Sequence, residues 1–137
     1  MSKPHIHAQS SVKKFGGRAE DYMPIHEFLD SSKAIVADNR HRLFTHNSWF
    51  IAVVIPKVFG ETMVNSDGKT ISTRDVAEQH VLEDYHNRFI PSAQDFLDEL
   101  AIQPWMMNGM NLPPSVRKVI EMQAKPTLTS TSKTLND

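Results

Sequence analysis

Two histidines each stand four residues ahead of an aspartate: His26 before Asp30, and His80 before Asp84. On a helix, positions i and i+4 share a face, so each pair presents an imidazole and a carboxylate in one direction. If the two helices face each other, two imidazoles and two carboxylates meet at a point between them. Zinc, manganese and ferrous iron accept that ligand mixture. His46 offers a third imidazole, because it shares a side with Leu43 and Phe50. His41 lies about 140° around the helix from His46, so both can face one ion only where the helix is interrupted. The candidate ligands are therefore His26, Asp30, His41, His46, His80 and Asp84, around one divalent ion (zinc, manganese or iron). The plainer alternative is that each aspartate merely orients its own histidine in an ordinary helix pair.

Beside those ligands, Glu83 and Asp84 are the candidate catalytic groups. A bound divalent ion lowers the pKa of its water towards about 7, and either carboxylate would take the proton. Arg40, Arg42 and Arg74, with Lys33 nearby, are the candidate anion holders, since guanidinium groups grip phosphate or carboxylate through paired hydrogen bonds. Alternatively, Arg40 or Arg42 pairs with Glu78, Glu83 or Asp38 and ties helices together. His5 and His7 precede the first expected helix and are expected to be solvated, with folding back onto the ion as the alternative.

Several chemistries are excluded. The 137 residues contain no cysteine, which removes disulfide scaffolds, thiolate zinc sites, cysteine nucleophiles and iron–sulfur clusters. Fifteen Lys and Arg against sixteen Asp and Glu give a net charge of −1, so nucleic-acid binding driven by net charge is not expected. Neither a phosphate loop nor a GxGxxG occurs. The run from His26 to Asp30 resembles a zincin helix but ends in Asp. A triad of Ser48, His46 and Asp84 has no nucleophile elbow around it. Seven histidines are the one compositional excess.

The elements that must position these groups read as mainly α-helical. A compact bundle of about five helices with one small β-hairpin is expected over residues 1–112, followed by a helical arm and polar tail over 113–137. Residues 8–18 suggest an extended lead-in stopped by Gly16-Gly17. A first helix starts near Pro24 at its N1 position and buries Ile25, Phe28, Leu29, Ser32, Ile35 and Val36, with Ser31-Ser32 or Asp38-Asn39 as candidate breaks. A second, about 39–55, turns Leu43, Phe44, Phe50, Ile51 and Val54 inward and is disrupted or ended by Pro56. Asn65-Ser66-Asp67-Gly68 between Val64 and Ile71 signals a hairpin. A helix over 73–86 starts at a Ser72/Asp75 capping box, burying Val76, Ala77, Val81 and Tyr85. Another starts at Pro91-Ser92 and turns Phe96, Leu97 and Leu100 inward. The Met-rich stretch around Trp105, Met106, Met107 and Met110 is either a contact surface or a cap on the protein's own core. A last helix over 115–124 leads to the tail. A basic head (Lys3, Lys13, Lys14, Arg18) and an acidic stretch over 75–99 attract each other, within the fold or between neighbouring copies, or are simply solvated.

The quoted residues together resemble a known family. Ser10-Ser11-x-Lys-Lys-Phe-Gly-Gly is followed by Asp21-Tyr22-x-Pro-Ile-His26-x3-Asp30 and Arg40-His41-Arg42-x3-His46. Glu78-Gln79-His80-Val81-x-Glu83-Asp84, Pro91-Ser92 and Trp105-Met106 complete the pattern. It is similar to a family of small uncharacterised phage and bacterial proteins, a domain of unknown function, over roughly residues 7–107. His7 falls on that pattern, as do the candidate ligands; His5 and His86 do not. Residues 85–90 depart from it, with Tyr-His-Asn-Arg-Phe-Ile in place of a shorter glycine turn. The resemblance implies a phage or bacterial source and a cytoplasmic or virion setting, and transfers no activity.

The expected function is therefore a small metal-binding protein of unknown activity, with metal-dependent hydrolysis as the fitting class if it is an enzyme. The alternative is a structural or assembly protein, such as a phage virion component, whose arm clasps a neighbour. The expected partner is a second copy or a phage assembly protein held through residues 113–137. No apolar run reaches the roughly 20 residues a membrane span needs, so no membrane partner is expected.

Overall fold

The computed structural model describes residues 3–108 and 112–135, with no side chains given for residue 108 and residues 125–135. It is mainly helical with one two-stranded antiparallel sheet. It divides into two compact units, residues 1–99 and 100–137. Met110 of the Met-rich stretch and the last two residues of the expected tail lie outside the described residues.

The first unit opens on a helix where an extended lead-in was expected. Helix α1, Pro4–Phe15, begins with proline at its first turn and ends at Gly16 (φ 84°), whose N–H bonds the Val12 carbonyl. Proline there loses nothing, because the first N–H groups of a helix have no internal acceptor. Lys13 and Lys14 lie in the last turn, where cations suit the helix dipole. The buried face is His7, Ala8 and Ser11, with Val12 and Phe15 packed alongside. That is a helical spacing, but polar residues at two of its inward positions hide the stripe.

Helix α2, Ala19–Asp30, starts five residues before Pro24, so the proline sits inside the helix. The start is fixed from outside: the Asp21 carboxylate accepts the Arg18 N–H at 2.9 Å and binds both the N–H and the hydroxyl of Ser66 in the hairpin loop. Tyr22, Ile25, His26, Leu29 and Asp30 face the core. A 3₁₀ turn over Ser31–Ala34 then breaks the α spacing, which buries Ser32 but leaves Ile35 exposed.

The expected helix over 39–55 is a broken series. A 3₁₀ turn, Asn39–His41, is capped by the Asp38 side chain; α3 is only Arg42–Thr45. His46 leaves the helix (φ −104°, ψ 57°). A π segment, Phe50–Val54, then leads into α4, Ile55–Phe59. Pro56 does not end this stretch: it is the second residue of α4. The wide π turn lets the Ile55 N–H bond the Phe50 carbonyl, which relieves the crowding a proline ring causes in a regular helix. Phe50 and Ile51 are buried as expected, while the break turns Phe44 outward.

Strands β1, Thr62–Val64, and β2, Thr70–Ser72, pair with Met63 opposite Ile71. Their loop is stitched to the α1–α2 corner. Asn65 donates to the Phe15 carbonyl and the Tyr22 hydroxyl, and the Gly17 N–H donates to Asp67. Gly17 has φ 72°, and a Cβ there would lie 2.5 Å from Asp21 Oδ2 and 2.9 Å from Asn65 Cβ, so no other residue fits.

Helix α5, Thr73–Asp84, follows β2 directly. The expected capping box is absent, as Ser72 makes no side-chain cap bond; instead the Thr73 hydroxyl and N–H bond the carbonyls of Gly60 and Glu61. Val76, Ala77, His80 and Val81 are buried. A capping box does form at α6, Ala93–Leu97, between Ser92 and Asp95. That helix is a single turn with no buried residue, and Leu97 and Leu100 are exposed rather than inward.

The second unit holds α7, Pro104–Asn108, and α8, Pro114–Leu135. Helix α8 runs on where a polar tail was expected, since extending a formed helix adds one bond per residue and Ser or Thr brakes it only weakly. Met106 and Met107 are exposed, so they do not cap a core. Among the described residues, no helix is long and apolar enough to cross a membrane.

Candidate metal centre

The core of the first unit is apolar around Tyr22, Leu29, Ile55, Val76 and Val81. Beside it lie five fully buried histidines: His7, His26, His41, His46 and His80. A buried imidazole must be hydrogen-bonded or charge-paired, so their partners define the site.

Four groups converge. Asp30 from α2, His46 from the break after α3, and His80 and Asp84 from α5 each offer one ligand atom, all within 4.8 Å of one another. His46 Nε2 lies 2.8 Å from Asp84 Oδ2 and 3.9 Å from Asp30 Oδ1; His80 Nε2 lies 3.3 Å and 3.4 Å from the same two oxygens. Donors held about 2.0–2.1 Å from a tetrahedral ion are about 3.3 Å apart. The cluster therefore could hold a metal ion.

The hydrogen-bond directions assign the tautomers. The Ser11 hydroxyl has one hydrogen, and both the His7 carbonyl and Gln79 Oε1 beside it only accept. His26 Nε2–H must then donate to Ser11 Oγ, 2.8 Å away. Burial, followed by the neighbouring His80 and His7, pushes the His26 pKa down to about 3, so its Nδ1 is a bare acceptor at neutral pH. His80 Nδ1–H donates to it across 2.9 Å. His80 Nε2 is thereby left facing Asp30 and Asp84, buried and without a hydrogen-bond partner.

His46 is held the same way. Thr45 Oγ1 donates to the Leu29 carbonyl, which only accepts, so His46 Nδ1–H donates to Thr45. Its Nε2 is left facing Asp84 Oδ2 at hydrogen-bond distance, 2.8 Å. Two buried carboxylates facing two Nε2 atoms require positive charge among them, either protons on the imidazoles or a metal ion. Both oxygens of Asp30 are also buried without hydrogen-bond partners, while Lys33 approaches one at 3.3 Å.

Burial opposes ionisation of both aspartates. The close imidazoles of His46, His7 and His80 nevertheless hold Asp84 far below the usual carboxylate range, and His80 with Lys33 holds Asp30 below it. Burial lowers the His46 pKa, and Asp84 only partly offsets that.

The other expected ligands form the surroundings of the cluster. His26 touches it only through His80. His41 lies edge-on to His46 with ring centres 5.0 Å apart, and its Nδ1–H donates to Ser32, whose own hydrogen goes to the His41 carbonyl. Burial, then the neighbouring His46, pushes its pKa down to about 4.

His7 was expected in solvent and is instead fully buried on α1. Its ring stacks on His80 at 3.8 Å; Nδ1 is 2.8 Å from Glu83 Oε1, and Nε2 is 3.3 Å from Asp84 Oδ1. Burial works against a charge there, but Asp84 and Glu83 outweigh it and raise its pKa. The missed signal was the helical spacing of residues 7, 8, 11, 12 and 15. Contact between the basic head and the acidic stretch thus runs through His7; among the described residues no lysine or arginine of the head pairs with an acid.

Of the two candidate catalytic carboxylates, Asp84 is inside the ligand cluster. Glu83 is partly exposed, with one oxygen taken by His7 and by Gln79. The three arginines do not converge. Arg40 is on the surface, paired with Asp38 at 2.8 Å. Arg74 is exposed and lines a separate hollow with Asp75 and Glu78. Arg42 lies over the Tyr85 ring and lines a pocket that reaches Glu83 and Asp84.

A family model for a domain of unknown function (DUF6915) matches residues 2–106. No curated protein and no solved structure matches the chain.

Proposed function

Since the chain belongs to the DUF6915 family, a domain of unknown function, we propose from its own side chains that it binds one divalent transition ion through Asp30, His46, His80 and Asp84. The observation that carries this is the convergence of two Nε2 atoms, turned inward by the hydrogen bonds of their Nδ1 atoms, on two buried carboxylates. Two nitrogens and two carboxylate oxygens suit zinc first, with manganese and ferrous iron as alternatives. The ion joins α2, α5 and the break after α3, so it stabilises the first unit as well as serving any chemistry. If water occupies a further position on the ion, metal-assisted hydrolysis is the fitting class, with Glu83 as the proton acceptor, because Asp84 is engaged as a ligand.

Elemental analysis of the purified chain and a chelator-competition titration test this. About one equivalent of metal, lost in His46→Ala and His80→Ala, is expected. A folded preparation that takes up no zinc, manganese or iron would falsify the proposal.

The second reading, an assembly role, draws on α8. Val116, Val119 and Ile120 follow helical spacing and are exposed, as in a helix that docks on a partner. Sizing the full chain against a 1–112 truncation tests it; equal monomers remove its support.

A further inference from the structure

The geometry points to a phosphate-ester pocket beside the metal centre, gripped by Arg42 and Arg88. A hollow of about 540 Å³ is lined by Asn39, Arg42, Asp84, Arg88 and Phe89, among others, a size in the range of small-molecule sites. Among the described residues, the Lys and Arg ion pairs are Lys33–Asp30 and Arg40–Asp38, so neither Arg42 nor Arg88 has a carboxylate partner. Arg42 is pinned in place: its guanidinium carbon lies 5.0 Å over the Tyr85 ring, and its Nε is buried with no hydrogen-bond partner. A buried donor without an acceptor is costly. An anion with several oxygens supplies what it lacks.

The backbone builds this wall at some expense. After α5 the chain turns through two consecutive left-handed residues that are not glycine, His86 (φ 56°) and Asn87 (φ 58°), closed by a 2.7 Å bond from the Asn87 N–H to the Leu82 carbonyl. Such residues are unfavourable and concentrate where geometry serves a site. The turn brings Arg88 and Phe89 into the lining of the pocket that Arg42 shares. The Phe89 ring lies 5.2 Å from that of Tyr85 and offers an apolar face beside the two cations.

Those features select the ligand. Paired guanidinium groups match phosphate, and an aromatic wall suits an apolar group esterified to it. Asp84 and Glu83 in the same lining repel an anion unless positive charge offsets them. The coupling to the ion rests on the metal proposal above; the grip of the arginines does not.

Calorimetric titration of the full chain with phenylphosphonate and with inorganic phosphate tests this, on manganese-loaded and on chelator-treated protein. Phenylphosphonate is expected to bind the loaded protein more tightly than the chelated one and more tightly than inorganic phosphate, with Phe89→Ala erasing the second difference. Arg88→Gln and Arg42→Lys are each expected to weaken it about tenfold or more, and Arg74→Gln to leave it unchanged. Arg88 is exposed, so its variant keeps the fold. Binding that requires the metal but ignores Arg88 and Arg42 overturns the pocket and leaves the metal proposal standing. Arginine-dependent binding to a protein that takes up no metal does the reverse. No binding to either form overturns the pocket.

Discussion

His26 and His80 meet through their Nδ1 atoms, 2.9 Å apart, and this contact fixes which nitrogen of His80 faces the carboxylates. His26 is fixed in turn by Ser11, and Ser11 by Gln79 and the His7 carbonyl. The cluster that could hold an ion is thus set by a hydrogen-bond chain that begins on α1.

Replacing His26 by Phe keeps a ring but removes the acceptor for His80 Nδ1–H. Metal affinity is expected to fall about 10- to 100-fold, the usual cost of losing a ligand's outer partner. Chelator competition measures it; unchanged affinity rejects the tautomer assignment.

Thr45→Val removes the acceptor for His46 Nδ1–H while keeping the side-chain shape. Zinc binding is expected to weaken by about tenfold or more, and NMR of the ring nitrogens should show His46 losing its single Nδ1–H form. A variant with native affinity and native ring signals contradicts the assigned role.

Asp84 accepts from or faces three imidazoles. Asp84→Asn in chelator-treated protein is expected to cost about 3 kcal/mol, as removal of one member of a buried charged network does. Urea unfolding decides this. A loss below about 1 kcal/mol, the scale of an exposed pair, means the network is not buried in solution.

Metal-free protein should lose stability in mild acid. His26 and His41 titrate at about 3 and about 4 when folded, against 6.5 for an unperturbed imidazole. Below 6.5 the unfolded chain takes up protons that the folded chain refuses, so their stabilisation is present above 6.5 and fades as the pH falls towards 4. His7, raised by its carboxylates, has the opposite sign: its contribution is complete below 6.5 and is lost as the pH rises through its folded value. Between about pH 7 and about pH 4.5, stability measured by urea unfolding is expected to drop by an amount on the order of a few kcal/mol; a flat profile contradicts both histidine environments.

Gly17→Ala places a methyl group against Asp21 and Asn65 in a left-handed conformation. The expected loss is about 2 kcal/mol, with the α1–α2 corner and hairpin loop loosening together. Gly68 also has a positive φ but meets nothing within 4 Å, so Gly68→Ala should cost less. Equal melting shifts for the two variants contradict the clamp.

Much of this was legible in order along the chain. The i, i+4 spacing placed His26 with Asp30 and His80 with Asp84 on their helix faces, the Asn65–Gly68 run signalled the hairpin, and Val76, Ala77 and Val81 marked the core side of α5. The failures share a cause. Inward faces carrying polar residues, such as His7 and Ser11 on α1, carry no apolar stripe for a periodicity argument to find. The break at His46 was equally hidden, because Leu43, Phe44 and Phe50 fit one continuous helix well enough.

Local spacing by itself determined that this chain is mainly helical, that it lacks thiol chemistry, and that two helices each carry an imidazole and a carboxylate on one side. Tertiary packing decided which four groups meet, which nitrogens they present, that His7 joins from α1 while His26 and His41 stand behind, and that Arg42 alone of the three expected arginines borders the centre. The physical reason is that periodicity reports the direction a side chain takes from its own helix, whereas a ligand cluster depends on distances between helices. Those distances are fixed by contacts between residues far apart in the chain, such as His26 to His80 and His7 to Glu83.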